Sequence, residues 1–115
     1  PWPSTLPRPV ALPFFVCQDG LTRALAEPFA GTTVLVTHFA PSLRSADPRY
    51  GHAPGTAGFC NALDHLLPRA QLWLHGHLHA PSDYMQTSCR VIANPLGNAR
   101  KNEQSAFRAA FCIDL

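Results

Sequence analysis

Six histidines occur in 115 residues, and three of them stand where an imidazole can do chemistry. His38 follows the apolar run Val34-Leu35-Val36-Thr37, while His77 and His79 follow Leu72-Trp73-Leu74-His75-Gly76. Neutral imidazole binds zinc, iron, nickel and manganese through its unprotonated nitrogen, so rings converging at two strand ends are candidate ligands of a divalent transition metal. In Gly76-His77-Leu78-His79 the glycine is expected to let the backbone turn sharply, and histidines separated by one residue can face the same side of an extended segment. The alternative for His77 and His79 is a hydrogen bond to a backbone carbonyl at a turn, with His38 capping its strand. His75, inside the second apolar run, reads as a hydrogen-bonded core histidine or as a residue supporting the ligands from behind. His52 and His65 read as solvated. No acidic motif accompanies the three rings.

These side chains must be held by rigid elements, and the pattern predicts an α/β domain of about four strands and two helices over 14–115. Strands are expected at Thr32–Thr37, Gln71–His75, Arg90–Asn94 and Ala110–Leu115, from their β-branched and apolar content. A short helix is expected from Asp19, as N-cap, to Ala26, closed by Pro28. A second, amphipathic helix is expected from Phe59 to Leu67, with Phe59, Ala62, Leu63, Leu66 and Leu67 inward and Pro68 as its stop. One right-handed crossover should join the first two strands. Residues 1–13 carry five prolines and read as an extended arm, because proline lacks the amide donor. Residues 40–56 are rich in Pro, Ser, Gly and Asp and read as a long loop of the kind that binds ligands.

Charge and composition exclude several roles. The net charge is +2, and its eight arginines and single lysine are dispersed, whereas a phosphate-backbone interface needs clustered cations. No nucleic-acid partner is expected. No apolar stretch reaches the roughly 18 residues of a membrane span, and no signal peptide is visible, so a cytoplasmic location is expected. Cys17, Cys60, Cys89 and Cys112 form no C-x-x-C pair and read as reduced core residues. The proline-led start reads as that of a processed or truncated piece.

Two blocks carry a family resemblance. Val34-Leu35-Val36-Thr37-His38-Phe39-Ala40-Pro41-Ser42 resembles the "VVTHHAPS" block of calcineurin-like metallophosphoesterases, and Leu72-Trp73-Leu74-His75-Gly76-His77-Leu78-His79 resembles their "LWIHGHTH" block. Order and separation agree. Glu27-Pro28-Phe29-Ala30-Gly31, Asp47-Pro48-Arg49-Tyr50, Ser82-Asp83-Tyr84 and Arg90-Val91-Ile92-Ala93-Asn94-Pro95 with Gly97 extend the likeness over most of the chain from about Ala24 onward.

The resemblance implies the C-terminal portion of a two-sheet sandwich with flanking helices. It implies hydrolysis of phosphomonoesters or phosphodiesters at a dinuclear manganese, iron, zinc or nickel centre, with His38 and His77 on one ion and His79 on the other. Paired ions lower the pKa of a bridging water and neutralise phosphoryl oxygens. Arg49 and Tyr50 become candidate substrate contacts, against loop packing as the plainer reading. The family's preceding Asp-x-His, Gly-Asp and Gly-Asn-His motifs are not found, Asp19-Gly20 being no substitute. Phe39 replaces a second histidine, and Leu96 and Asn98 stand where the family has Arg and Tyr. The isolated chain is therefore expected to be an incomplete catalyst, its partner being the missing N-terminal half of the domain. Two alternatives stay open. One is a non-catalytic remnant that self-associates through an uncovered apolar sheet face. The other is a simple three-histidine zinc hydrolase, which lacks a general base because Asp47 and Asp83 read as turn formers.

Overall fold

The computed structural model describes residues 8–115. Val34–Thr37 (β1) and Leu72–His75 (β2) lie parallel, with Val34 opposite Leu72 and Thr37 opposite His75. The two histidine-bearing segments therefore leave the sheet at the same end. Ser82–Gln86 (β3) and Cys89–Ala93 (β4) form an antiparallel hairpin, and β4 also pairs with β2 in parallel, giving the order β1-β2-β4-β3. The result is an α/β fold with a four-stranded mixed sheet.

Alternation of side chains across the strands sets the core. Leu35, Trp73, Val91 and Tyr84 share one row of the register. That face packs against Leu63, Leu66, Leu67 and Ala70 and against Leu21 and Leu25 of the helix Arg8–Ala26 (α1). Trp73 is wholly buried, and its Nε1–H donates to Thr37 Oγ1 at 2.8 Å. The Thr37 hydroxyl in turn donates to the Phe39 carbonyl at 2.7 Å, so the exit of β1 is tied to β2 at Thr37 and to itself across His38. On the opposite face Ile92 and Leu72 are buried at the centre, whereas Val36 and Met85 remain 74% and 55% exposed at its two edges.

Several expectations are corrected. Residues 8–13, expected as part of an extended arm, belong to α1, while 1–7 lie outside the described residues. Pro9 falls in the first turn, where the amide it lacks would have no partner in the helix. Asp19 consequently sits inside α1 rather than capping it, although the helix does end at Ala26, just before Pro28. The segment Phe59–Leu67 is not an α-helix. Cys60 makes a parallel bridge to Ala40, and only Asp64–Arg69 coils, as a 3-10 helix that contains Pro68. Leu63, Leu66 and Leu67 are buried as expected, but Ala62 and Phe59 are exposed and Asn61 is buried.

The hairpin strand β3 was not anticipated, because Ser-Asp-Tyr-Met-Gln offers little apolar alternation and its turn, Thr87-Ser88, is not an Asn-Gly pair. Thr87 takes φ +54, the left-handed conformation that a tight two-residue turn requires. Residues 110–115 make no strand. They are held by side chains instead, with the Arg108 guanidinium 3.5 Å over the Phe111 ring and its Nη2 3.6 Å from Asp83. Asp83 is thus a strand residue tied to Arg90 and Arg108, not a turn former. Cys60 and Cys89 are buried and free, but Cys17 and Cys112 are exposed rather than core residues. Among the described residues no helix is long and apolar enough to cross a membrane.

Candidate functional site

The parallel pairing of β1 and β2 brings His38 and His77 together. His38 Nε2 lies 2.9 Å from His77 Nδ1. Gly76 N–H donates to the His38 carbonyl at 3.1 Å, continuing the ladder one residue beyond the strands. The sharp turn follows at His77 and not at Gly76: His77 has φ +63, and Leu78 N–H donates to the Gly76 carbonyl at 2.7 Å. This is a γ-turn of the rare, positive-φ kind, in which a side-chain-bearing residue costs about 1–3 kcal/mol. Strain of this size at a histidine is more common where the ring must be aimed at something.

Aromatic rings complete the surroundings of His77. Phe59 stacks on it at 4.9 Å with an interplanar angle of 23°, and Phe39 meets it edge-on at 5.0 Å. Phe59 reaches this position because its carbonyl accepts from the Ala40 amide (3.1 Å) and the Asn61 amide donates to the Ala40 carbonyl (2.8 Å). Burial, and then the neighbouring His38 and His79, lower the His77 pKa below the ordinary histidine value. Both effects favour the neutral ring, the form a ligand nitrogen needs.

His79 is engaged differently. Its Nδ1 lies 2.8 Å from Glu103 Oε2. The Glu103 side chain is only 3% exposed and also accepts from Arg49 Nη1 at 3.1 Å and from the Asn98 amide at 2.8 Å. Arg49 spans two carboxylates, since its Nη2 donates to Asp47 Oδ2 at 2.6 Å and its backbone amide to Asp47 Oδ1 at 2.9 Å. The Arg49 guanidinium, which donates to it, holds the Asp47 carboxyl below the usual carboxylate range. Asp47 therefore does form a turn, as its position implies, and also anchors Arg49.

His75 faces away from the pair, into the core. Its Nε2 lies 3.1 Å from Ser45 Oγ, which is 2.7 Å from the Tyr84 hydroxyl. Burial lowers its pKa. A cavity of about 580 Å³ opens beside His77 and His79, lined also by Arg49, Tyr50, Phe59 and Lys101. That size suits a small organic ligand. Tyr50 is exposed there, with the Arg49 guanidinium 5.5 Å from its ring centre.

The sequence reading missed Glu103 and Phe59. Glu103 lies 24 residues beyond His79 in a polar tail that carries no periodic signal, and Phe59 reads there as a core residue of a helix that does not form. The three rings also differ in how well they suit a metal. The 2.9 Å between His38 Nε2 and His77 Nδ1 is a hydrogen bond between the two rings, and it is close to the about 3.0 Å that separates nitrogens about 2.1 Å from one ion at right angles. A closed site takes more donors than two. Among the described residues, no group of three or more His, Cys, Asp or Glu is arranged to hold an ion. No protein-family model, curated protein or solved structure matches the chain.

Proposed function

We propose that the chain is the histidine-bearing C-terminal part of a metal-dependent phosphoester hydrolase of the metallophosphoesterase kind, its sheet forming one half of a two-sheet sandwich. The observation that carries this reading is the 2.9 Å approach of His38 Nε2 and His77 Nδ1 at the same end of two parallel strands. In an α/β sheet, the loops beyond the carboxyl ends of parallel strands are where ligands are bound. The remaining donors would come from polypeptide outside the described residues. A divalent cation held there would supply Lewis acidity toward a phosphoryl oxygen.

The chain's own residues support the anionic substrate this reading requires. Lys101 lines the cavity beside the two rings. Arg49 acts through Asp47 and Glu103, fixing the loop, more than through a free guanidinium. Phe59 and Tyr50 give the cavity an apolar wall against which the ester's organic part can pack.

Cobalt(II) titration followed by visible absorption tests the reading. Weak stoichiometric binding is expected, lost in His38→Ala and in His77→Ala, together with no turnover of p-nitrophenyl phosphate or its bis ester by the purified chain with manganese. A cobalt spectrum indifferent to both substitutions rejects the ligand pair. Turnover at rates typical of a complete hydrolase rejects the incompleteness.

One observation favours a second reading, a non-catalytic module that pairs with a second copy of itself. Val36 and Met85 are exposed on the sheet face opposite the core, and β1 has a hydrogen-bonded strand neighbour on one side only among the described residues.

A further inference from the structure

Glu103 is a carboxylate delivered from far along the chain onto a single ring nitrogen. The Asn98 amide and Arg49 Nη1 can only donate, at 2.8 Å and 3.1 Å, so the carboxyl group receives at both oxygens. With two obligatory donors on it, one at each oxygen, Glu103 is placed as a carboxylate that accepts from all three of its neighbours. The third donor must be His79 Nδ1–H, 2.8 Å away. A neutral imidazole carries one proton, so the lone pair then belongs to Nε2.

We infer that Glu103 is a positioning residue that fixes His79 in the Nδ1–H tautomer, leaving Nε2 as the lone-pair nitrogen of a ring lining the cavity. This rests on the reading of that cavity as the functional site, and gives it a carboxylate–imidazole pair. A histidine side chain free in water favours the opposite tautomer, with the proton on Nε2. Donation from Nδ1 to Glu103 therefore changes which nitrogen is available to a cation or to a substrate proton. The arrangement is reinforced from behind: Arg49 ties Glu103 to Asp47, which is 5% exposed, so the carboxylate is itself held from two sides.

Long-range proton–nitrogen correlation spectra of the histidine-labelled, metal-free chain read the tautomer directly, at about pH 8.5, well above the ordinary histidine value. The His79 signals are assigned by their disappearance in His79→Gln. The expected result is a protonated, pyrrole-like Nδ1 and an unprotonated, pyridine-like Nε2 in the unsubstituted protein. Glu103→Ala should lose that preference and return His79 to mainly Nε2–H. Glu103→Gln, which fills the same volume without the charge, should raise the Nε2–H fraction. An Nε2–H His79 in the unsubstituted chain overturns the inference, as does an unaltered tautomer in either folded variant. The measurement contains no metal, so a failed cobalt titration rejects the ligand pair and leaves this result standing.

Discussion

His77 combines two properties that ordinarily exclude each other, a bulky side chain and a left-handed backbone. Its φ of +63 is sterically costly for any residue with a Cβ, and the Leu78-to-Gly76 hydrogen bond of 2.7 Å holds it there. If the strain serves the ring and not the fold, glycine should relieve it. His77→Gly is expected to be more stable than His77→Ala by about 1 kcal/mol, in urea unfolding followed by tryptophan fluorescence. Equal midpoints would mean that the turn is unstrained. Both variants should lose cobalt equally, separating the backbone's role from the ring's. His75, two residues earlier, shows the contrast: extended backbone, buried ring, and a partner in Ser45. Neighbouring histidines of one strand end are thus divided between core and cavity by one turn.

At the level of elements, the loop 97–103 matters more than its irregular sequence implies. Gly97 has φ +74, and a Cβ added to it would stand 2.5 Å from Glu103 Cβ. Gly97→Ala should therefore cost about 1–3 kcal/mol through backbone strain alone and displace Glu103 as well. The check is a paired one, a lowered melting temperature together with a changed His79 tautomer. A stability loss without the tautomer change would uncouple the loop from the ring. In the hairpin, Arg90 and then Arg108 hold the Asp83 carboxyl below the usual range. The folded pKa lies below the unfolded value of about 3.9, so this contribution is complete above the unfolded value and is lost as pH falls through it toward the folded pKa. Asp83→Asn should melt lower than the parent near neutrality, and the two curves should converge below about pH 4. A difference that persists in acid would assign the loss to packing.

On the scale of the whole molecule, one sheet face is fully committed and the other is not. α1 and the segment 63–70 cover the face of Trp73 and Val91, while Arg108 brings the C-terminal tail toward the opposite face and leaves Val36 and Met85 open. Apolar side chains left open at the edges of a sheet can be covered by association. If a second copy covers them, light scattering should report a concentration-dependent dimer that Val36→Lys disperses without lowering the melting temperature. A monomer at every concentration would remove the self-pairing reading and leave the hydrolase proposal unaffected.

What the sequence determined by itself was local. Thr32–Thr37 and Gln71–His75 read as strands because most of their residues are β-branched or apolar, their histidines fell at the ends for the same reason, and the strands form at Val34–Thr37 and Leu72–His75. The burial of Leu63, Leu66 and Leu67 was also legible, although the helix expected to carry them was not formed, since the chain from Ala40 to Cys60 found a bridge instead. Tertiary structure alone decided that Phe59 stacks on His77, that Arg49 is occupied by two carboxylates, and that Glu103 takes the Nδ1–H of His79. Backbone preference acts over a few residues and is written in side-chain type. A shielded polar group must find a partner wherever the folded chain supplies one, and no spacing in the sequence records that distance.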